Sequence, residues 1–291
     1  MNKSLKKTWQ YYILLLPALL LSFSVILVPA VRTVITSFTD WNGLAEDMNF
    51  IGFANYKALF TDPGFWKVIF NNVKWMCMYL VVPVAMGMAA AFFLVGRSRS
   101  RNAYQIIYLL PYVIAPIANA LIWQSMIYSP LTGIVSVLKK LGLAVSSPLS
   151  STRTALAGVA AVDIWHYWGF LAVIYFSAIR QTPGDQIEAA KVEGCSGWQL
   201  FKFVYFPCIK PTFVLMAILI VIQSFMNFDY VYLLTNGGPA KATEMLGVVS
   251  YKYAFNMMEL GKASTVALIM SLFGMIASIF YVRLNKNEEQ S

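Results

Sequence analysis

The run WMCMYLVVPVAMGMAAAFFLV, residues 75–95, decides the fold class of this chain. It has 21 residues and no charged side chain, and a helix needs about 20 apolar residues to cross the hydrocarbon core of a bilayer. Charge-free runs of similar length occupy Tyr11–Val31 and Ala263–Val282. The chain of 291 residues is 59% hydrophobic and 12% charged, far from the usual composition of soluble domains. The sequence therefore predicts an all-α membrane protein.

Three further apolar runs are less uniform. Residues 102–138 carry no charge, but the turn sequence SPLTG at 129–133 indicates that a helix ends just before it. We expect the first run to be a retained helix and not a signal peptide, because its apolar part exceeds about 15 residues and other spans follow. The chain is expected to form one transmembrane domain, residues 1–291, with six spans at about residues 11–31, 75–95, 104–128, 154–179, 211–235 and 263–283.

Lysine and arginine are distributed unevenly between the two sides of these spans. Twelve of the 22 lie on one side, in the short segments 3–7, 97–101, 180–210 and 283–286, and the other side has fewer on longer loops. Because Lys and Arg are enriched on the cytoplasmic side of membrane proteins, both termini are predicted to be cytoplasmic. This topology accounts for the net charge of +9, which therefore gives no support for nucleic-acid binding.

The segment EAAKVEGCSGWQLFKFVYFP, residues 188–207, lies in the longest inner loop, residues 180–210. The sequences DQIE at 185–188 and SGWQ at 196–199 have the spacing of capping boxes, which predicts two short helices. Gly194 can take the left-handed conformation that ends the first helix, and Pro207 is expected to end the second.

The aromatic residues of this second helix are spaced to share one face. Trp198, Phe201 and Tyr205 follow i, i+3, i+7 spacing. From these residues alone the loop is either an interfacial linker with aromatic side chains among lipid headgroups or a docking platform for a cytoplasmic partner. Small residues at 189, 190 and 194 favour docking, because they let another backbone approach closely.

The same segment resembles the EAA loop of bacterial ABC-importer permeases. Glu188, Ala189, Ala190, Gly194 and Pro207 match the pattern, whereas Cys195, Val204 and Phe206 depart mildly from it. Residues 227–264, LLPYVIAP at 109–116 and FANYKALFTDPGFW at 53–66 resemble the carbohydrate-uptake permeases of the maltose and glycerol-phosphate type. The resemblance covers about residues 9–285 and implies the type I ABC-importer permease fold.

The resemblance also implies a set of partners in a bacterial cell membrane. The loop is expected to be the coupling helix that seats on a separate ATPase subunit, which binds ATP and Mg²⁺. The chain has no GxxxxGK[ST] phosphate loop of its own, so no cofactor is expected in it. A second homologous permease, forming a heterodimer, and an extracellular solute-binding protein complete the expected importer.

Polar residues within the predicted spans are candidates for carbohydrate binding, because an intramembrane polar group is costly and flat aromatic faces suit sugar rings. Four of them, in the fourth predicted span, share one helical face by i, i+3, i+4, i+7 spacing: Asp163, His166, Tyr167 and Phe170. By resemblance to the maltose-type permeases, the substrate residues are Tyr112, Pro116, Asp163, His166, Tyr167, Phe170, Ser224 and Asn227. Both residues also have a structural interpretation: His166 can donate a hydrogen bond across helices, and Asp163 can be a structural acceptor paired with His166. The partner permease is an alternative holder of the substrate.

Other functional classes have less support. With one histidine the chain has no HExxH zinc site, and Asp163 and Asp229 lack the sequence context of an intramembrane aspartyl protease, so no enzyme is expected. A passive channel does not need an EAA loop. A glycerol-phosphate substrate favours basic residues within the spans, whereas the basic residues, Lys74 among them, lie at or beyond the span ends. A neutral carbohydrate is therefore the favoured substrate, and glycerol phosphate or another small polar solute is the alternative.

Overall fold

The computed structural model describes residues 14–96 and 99–289. In these residues the backbone is helical, and its only strand-like pairing is an isolated antiparallel bridge between Thr39 and Phe50. The helices are α1 (Leu14–Ser37), α2 (Ala54–Thr61), α3 (Pro63–Val95), α4 (Arg101–Val113), α5 (Pro116–Ile127), α6 (Ile134–Lys140), α7 (Ala155–Ile179), α8 (Gly184–Val192), α9 (Gly197–Met226), α10 (Asp229–Thr235), α11 (Leu246–Tyr251) and α12 (Leu260–Glu289).

Two compact units divide the chain: Met1–Pro63 with Val249–Ile269, and Gly64–Val248 with Met270–Ser291. In the first unit, the Asn55 side-chain amide donates to the carbonyl oxygens of Ser37 and Thr39 at 3.0 and 2.8 Å. The Thr265 hydroxyl donates to the same Ser37 oxygen at 3.2 Å. The bonds to Ser37 satisfy the last carbonyl of α1, which has no partner within the helix itself, and the bond to Thr39 fixes the chain just after it. The candidate functional residues all lie in the second unit.

The membrane-spanning character predicted from the sequence is confirmed. Five helices are long and apolar enough to cross a membrane, and α4 with α5 make a sixth if this bent pair crosses as one span. Helix α7 closely matches the expected span 154–179, and α3 ends at the expected residue 95 but begins earlier, at Pro63. The first expected span begins within residues 1–13, which lie outside the described residues, as do the chain termini. The orientation in the membrane stays a prediction.

The third expected span, 104–128, is wrong as a single helix. Helices α4 and α5 meet at an angle of 91°. The residues between them are extended, with ψ of 129° at Ile114 and 137° at Ala115. Pro116 causes this break, because the ring of a proline disfavours the helical conformation of the residue before it. Hydropathy alone registers the apolar content of this segment and not the change of direction.

The fifth expected span, 211–235, is also wrong at both ends. Helix α9 begins at Gly197, runs through Pro207 and ends at Met226, and residues 229–235 form the separate helix α10. A π-helical turn at Phe201–Tyr205 precedes Pro207. Such local widening compensates for the backbone hydrogen bond that a proline cannot make, so Pro207 does not end the helix.

Helix α7 is the centre of the second unit. Over half of its most apolar stretch is buried, more than in any other spanning helix among the described residues. It packs against α4 so closely that a Cβ atom at Gly169 would overlap the carbonyl oxygen of Tyr108. Leu171 and Tyr175 of α7 are fully buried beside Ile209 and Ile220 of α9. Side chains on α7 are therefore held in fixed positions against both broken spans.

Candidate functional site

The surface loop forms two helices joined by a tight turn, as the sequence predicts. Helix α8 ends in a Schellman motif: Gly194 has φ +79°, its N–H donates to Lys191 O at 3.1 Å, and the Cys195 N–H donates to Ala190 O at 3.0 Å. A side chain at Gly194 would meet nothing within 4 Å. Glycine is therefore required here for its backbone conformation and not for lack of space.

One of the two expected capping boxes is present. The Ser196 N–H donates to Gln199 Oε1 at 2.7 Å, and the Gln199 N–H donates to Ser196 Oγ at 3.3 Å. The other, over residues 185–188, is wrong. Helix α8 already begins at Gly184 with Pro183 in the capping position, and no side chain caps it. Because Asp185 lies inside the first turn, its carboxylate still favours the helix N-terminus electrostatically.

The outer face of this loop is open to solvent. Glu188, Ala189 and Gly194 are exposed, Val192 is 89% exposed and Trp198 is 69% exposed.

The inner face of the loop is packed against the second unit. Ala190 is buried, and the ring of Phe201 lies 5.0 Å from the ring of Phe92 on α3, edge to face. Tyr205 is buried against the same Phe92 ring at 5.7 Å. The predicted aromatic face is thus divided: two of its members attach the loop to α3, and Trp198 faces outward. Pro207 is exposed within α9.

Within the spans, four of the expected substrate residues form one aromatic cluster. The rings of Tyr112 and Phe170 stack at 4.7 Å and 16°, and Tyr112 also contacts the His166 ring at 5.3 Å. Tyr167 lies 5.7 Å from Phe170. Tyr112 is 40% exposed, so the stack presents an open aromatic edge. A half-open aromatic stack of this kind suits the apolar face of a sugar ring.

A carboxylate and an amide pair beside this cluster. The Asn227 Nδ2 donates to Asp163 Oδ2 at 3.0 Å. Asn227 is in the extended break between α9 and α10, with ψ of 132°, and its Oδ1 is buried without a hydrogen bond. The Tyr79 hydroxyl of α3 is buried and interacts with the Asp163 carboxylate. The site therefore keeps polar capacity that its own side chains do not use.

His166 forms a hydrogen bond to the backbone at the break between α4 and α5. Its Nε2 lies 3.2 Å from the carbonyl oxygen of Ile114, in the extended link between α4 and α5. A carbonyl oxygen only accepts, so Nε2 carries the proton in this bond. Asp163 and His166 thus do not pair with each other. Both side chains project from one face of α7, but Asp163 bonds to Asn227 between α9 and α10, and His166 bonds to Ile114 between α4 and α5.

The remaining expected residues are placed differently. Pro116 follows the α4–α5 break and shapes it. Ser224 is one helical turn before Asn227 but is buried, and its hydroxyl donates to Ile220 O of its own helix at 2.7 Å. This back-bonding leaves the Ser224 hydroxyl no free hydrogen to offer a ligand. Asp229 is exposed and begins α10.

Two polar residues near the site were missed from the sequence. Asn119 is buried on α5 and donates to the Tyr230 hydroxyl at 2.8 Å, and its Oδ1 has no hydrogen bond. Asn72 on α3 donates to Ser224 O at 2.8 Å and accepts from the Leu246 N–H at 3.0 Å. The signal for both was an asparagine in or beside a charge-free run, because such groups need partners inside the protein.

A family model described as "Binding-protein-dependent transport system inner membrane component" matches residues 81–289. The chain belongs to this family. A probable ABC transporter permease protein of Pyrococcus horikoshii is 32% identical over 281 residues, covering 95% of this chain and 96% of that protein. The probable starch degradation products transport system permease protein AmyD of Thermoanaerobacterium thermosulfurigenes is 31% identical over 279 residues, covering 96% of this chain and 94% of that protein.

A solved structure has the same fold. It is a bacterial alginate ABC transporter in complex with an alginate pentasaccharide-bound periplasmic protein, and the matching chain is 22% identical with a TM-score of 0.85, covering 98% of this chain and 96% of that one. The sequence-based prediction of an ABC-importer permease fold is confirmed. Membership of this transport family also confirms the prediction of a transport subunit instead of an enzyme.

Proposed function

We propose that this chain is the permease subunit of an ATP-driven importer and forms half of the translocation pathway for a neutral carbohydrate. The carbohydrate is delivered by an extracellular solute-binding protein. A second, homologous permease forms the other half, and a separate pair of ATPase subunits binds ATP and Mg²⁺. The chain lies in the bacterial cell membrane, with both termini in the cytoplasm.

The observation that carries this proposal is the half-open aromatic stack of Tyr112 and Phe170 beside the Asp163–Asn227 pair. The stack offers an apolar surface, and the pair with its unused Asn227 Oδ1 offers hydrogen bonds. Carbohydrate sites need both. The name of AmyD, a relative assigned to starch degradation products, supports the same substrate class.

The substrate is proposed to be uncharged, because no Lys or Arg takes part in the ring contacts and hydrogen bonds described for this cluster. A phosphate ester needs a cation or several N–H donors in such a site. Lys74, which directly precedes the second predicted span, has its ammonium group 4.5 Å from the Phe70 ring centre.

The surface loop is proposed to couple transport to ATP hydrolysis. Glu188, Ala189 and Gly194 present an exposed face that fits a cleft on the ATPase, and Ala190 and Pro207 shape the same segment. The packing of Phe201 and Tyr205 on α3 provides a rigid connection from that face to the spans.

The proposal is tested by purifying the complex that contains this chain and measuring its ATP hydrolysis with solute-binding protein loaded with each of a panel of ligands. The panel contains mono-, di- and oligosaccharides and glycerol phosphate. We expect an ATPase and a second permease to co-purify, and hydrolysis to rise with at least one neutral carbohydrate. Stimulation by glycerol phosphate alone contradicts the proposed substrate class, and absence of an ATPase contradicts the importer.

A further inference from the structure

Asn72 on α3 connects two helix ends next to the candidate carbohydrate site. Its side chain is fully buried. The Nδ2 donates to the carbonyl oxygen of Ser224 at 2.8 Å, and the Oδ1 accepts from the Leu246 N–H at 3.0 Å. Ser224 lies in the last turn of α9 and Leu246 is the first residue of α11, where backbone groups have no partner within their own helices. One amide therefore satisfies a backbone group at each helix end.

The helix end that Asn72 holds carries the amide of the candidate site. Asn227 follows Met226, the last residue of α9, and its backbone is extended with ψ of 132°. Its side chain bonds to the Asp163 carboxylate at 3.0 Å, so the position of this amide depends on where α9 ends. Because Ser224 is only three residues before Asn227, a shift of the Ser224 carbonyl changes the distance from Asn227 to Asp163.

The start of α11 also makes a close backbone contact with this break. A Cβ atom at Gly247 would lie 2.6 Å from the carbonyl oxygen of Asn227 and 3.3 Å from the Cβ atom of Phe228. The first distance is too short for any side chain, so glycine is needed here for the close approach of two backbones. The break between α9 and α10 is therefore held against α11 both by this contact and by the hydrogen bonds of Asn72.

The neighbouring asparagine of α3 has different partners. Asn71 is 2% exposed, and its Nδ2 donates to the carbonyl oxygen of Glu244 at 2.9 Å. One helical turn earlier, the Lys67 ammonium group donates to the carbonyl oxygen of Ala240 at 3.0 Å. These bonds reach the segment before α11 and not the end of α9. Asn71 is thus a buried asparagine of the same helix that differs from Asn72 in what it holds.

We propose that Asn72 is a positioning residue for carbohydrate transport, which fixes Asn227 beside Asp163 without touching the carbohydrate. This inference rests on the proposed function, whose site contains Asn227. A buried asparagine that satisfies backbone groups can also serve stability alone. The two roles differ in one consequence. A positioning residue affects transport through Asn227, whereas a loss of stability affects transport whichever residue is at position 227.

The test is a double-mutant cycle on carbohydrate uptake by proteoliposomes that contain the purified complex. The variants are Asn72→Leu, Asn227→Ala and the two together. Leucine has the branched shape of asparagine but makes no hydrogen bonds, so it removes the bonds without leaving a cavity. The matched control is Asn71→Leu, alone and with Asn227→Ala. Asn72→Ser, whose short side chain leaves both backbone groups out of reach, takes the place of Asn72→Leu if the latter does not reach the membrane.

We expect Asn72→Leu to lower uptake about tenfold when Asn227 is present and less than about twofold when it is alanine, because residues that act through one another are not additive. Asn71→Leu should lower uptake by the same factor in both backgrounds, since its bonds do not reach α9. The proposal is overturned if Asn72→Leu also lowers uptake by one factor in both backgrounds.

A second measurement needs no substrate. Hydrogen exchange of the complex in nanodiscs, followed by mass spectrometry, reports local opening of the backbone. Asn72→Leu should speed exchange in residues 223–230, and Asn71→Leu should speed it in residues 240–246. Unchanged exchange at 223–230 in Asn72→Leu overturns the proposal. Absence of carbohydrate uptake by the wild type contradicts the proposed function instead, and hydrogen exchange then decides on Asn72, as it does if Asn227→Ala leaves no measurable uptake.

Discussion

Replacing Gly194 with aspartate is expected to stop ATP hydrolysis from responding to loaded solute-binding protein while the chain stays folded. The residue has φ +79° and open space around its Cβ position, so the cost is conformational and not steric. A side chain in the left-handed region costs about 1–2 kcal/mol, and a carboxylate at a helix C-terminus adds about 0.3–1 kcal/mol. This sum is well below the stability of a typical folded protein, about 5–15 kcal/mol. The defect therefore comes from a charged side chain on the proposed ATPase-facing surface.

Gly142 provides a matched control for this variant. It has φ +84° and nothing within 4 Å of its Cβ position, but it lies outside the surface loop. The assay is ATP hydrolysis by the reconstituted complex, with and without loaded binding protein, after membrane insertion has been checked. We expect Gly142→Asp to keep the stimulation and Gly194→Asp to lose it. Full stimulation in Gly194→Asp refutes the coupling role, and equal loss in both variants attributes the effect to backbone strain alone.

Two further predictions concern the hydrogen-bonded pair and the topology. Asn227→Asp alone sets two carboxylates side by side and should lower uptake at least about tenfold, whereas the exchange Asp163→Asn with Asn227→Asp restores a carboxylate–amide bond and should recover most of it. No recovery in uptake assays means that Asp163 itself binds the carbohydrate. In a cysteine-free background and sealed cells, Lys57→Cys and Lys140→Cys should react with an impermeant maleimide and Gly197→Cys should not. Opposite labelling of positions 57 and 140 contradicts a single crossing by α4 and α5.

The sequence predicts the spans best where charges bound an apolar run. Arg153 and Arg180 enclose the fourth span, and α7 begins and ends within two residues of them. The predicted third and fifth spans are wrong because hydropathy reports how apolar a segment is and not where its backbone bends. Pro116 follows a break in a helix, whereas Pro207 lies within α9 after a π-helical turn, and Pro83 and Pro111 also lie within helices. That difference depends on the local packing of the chain.

The candidate carbohydrate site can be predicted only in part from the sequence, for a related reason. Helical periodicity places Asp163, His166 and Phe170 on one face, and the structure keeps them there. Their partners come from other helices: Asn227 is 64 residues from Asp163, and Ile114 is 52 residues from His166 and contributes only a backbone oxygen. No local pattern encodes such a bond. The interpretation of Asp163 and His166 as a mutual pair is wrong, because each of them bonds to a residue outside α7.

Uptake by proteoliposomes tests the central claim most directly. Vesicles contain this chain with its co-purified permease and ATPase, and radiolabelled carbohydrate is added outside with its solute-binding protein. Accumulation should require ATP inside the vesicles together with the binding protein outside, and should exceed the external concentration, because hydrolysis drives it. Equilibration without ATP or binding protein indicates a passive channel and contradicts the account.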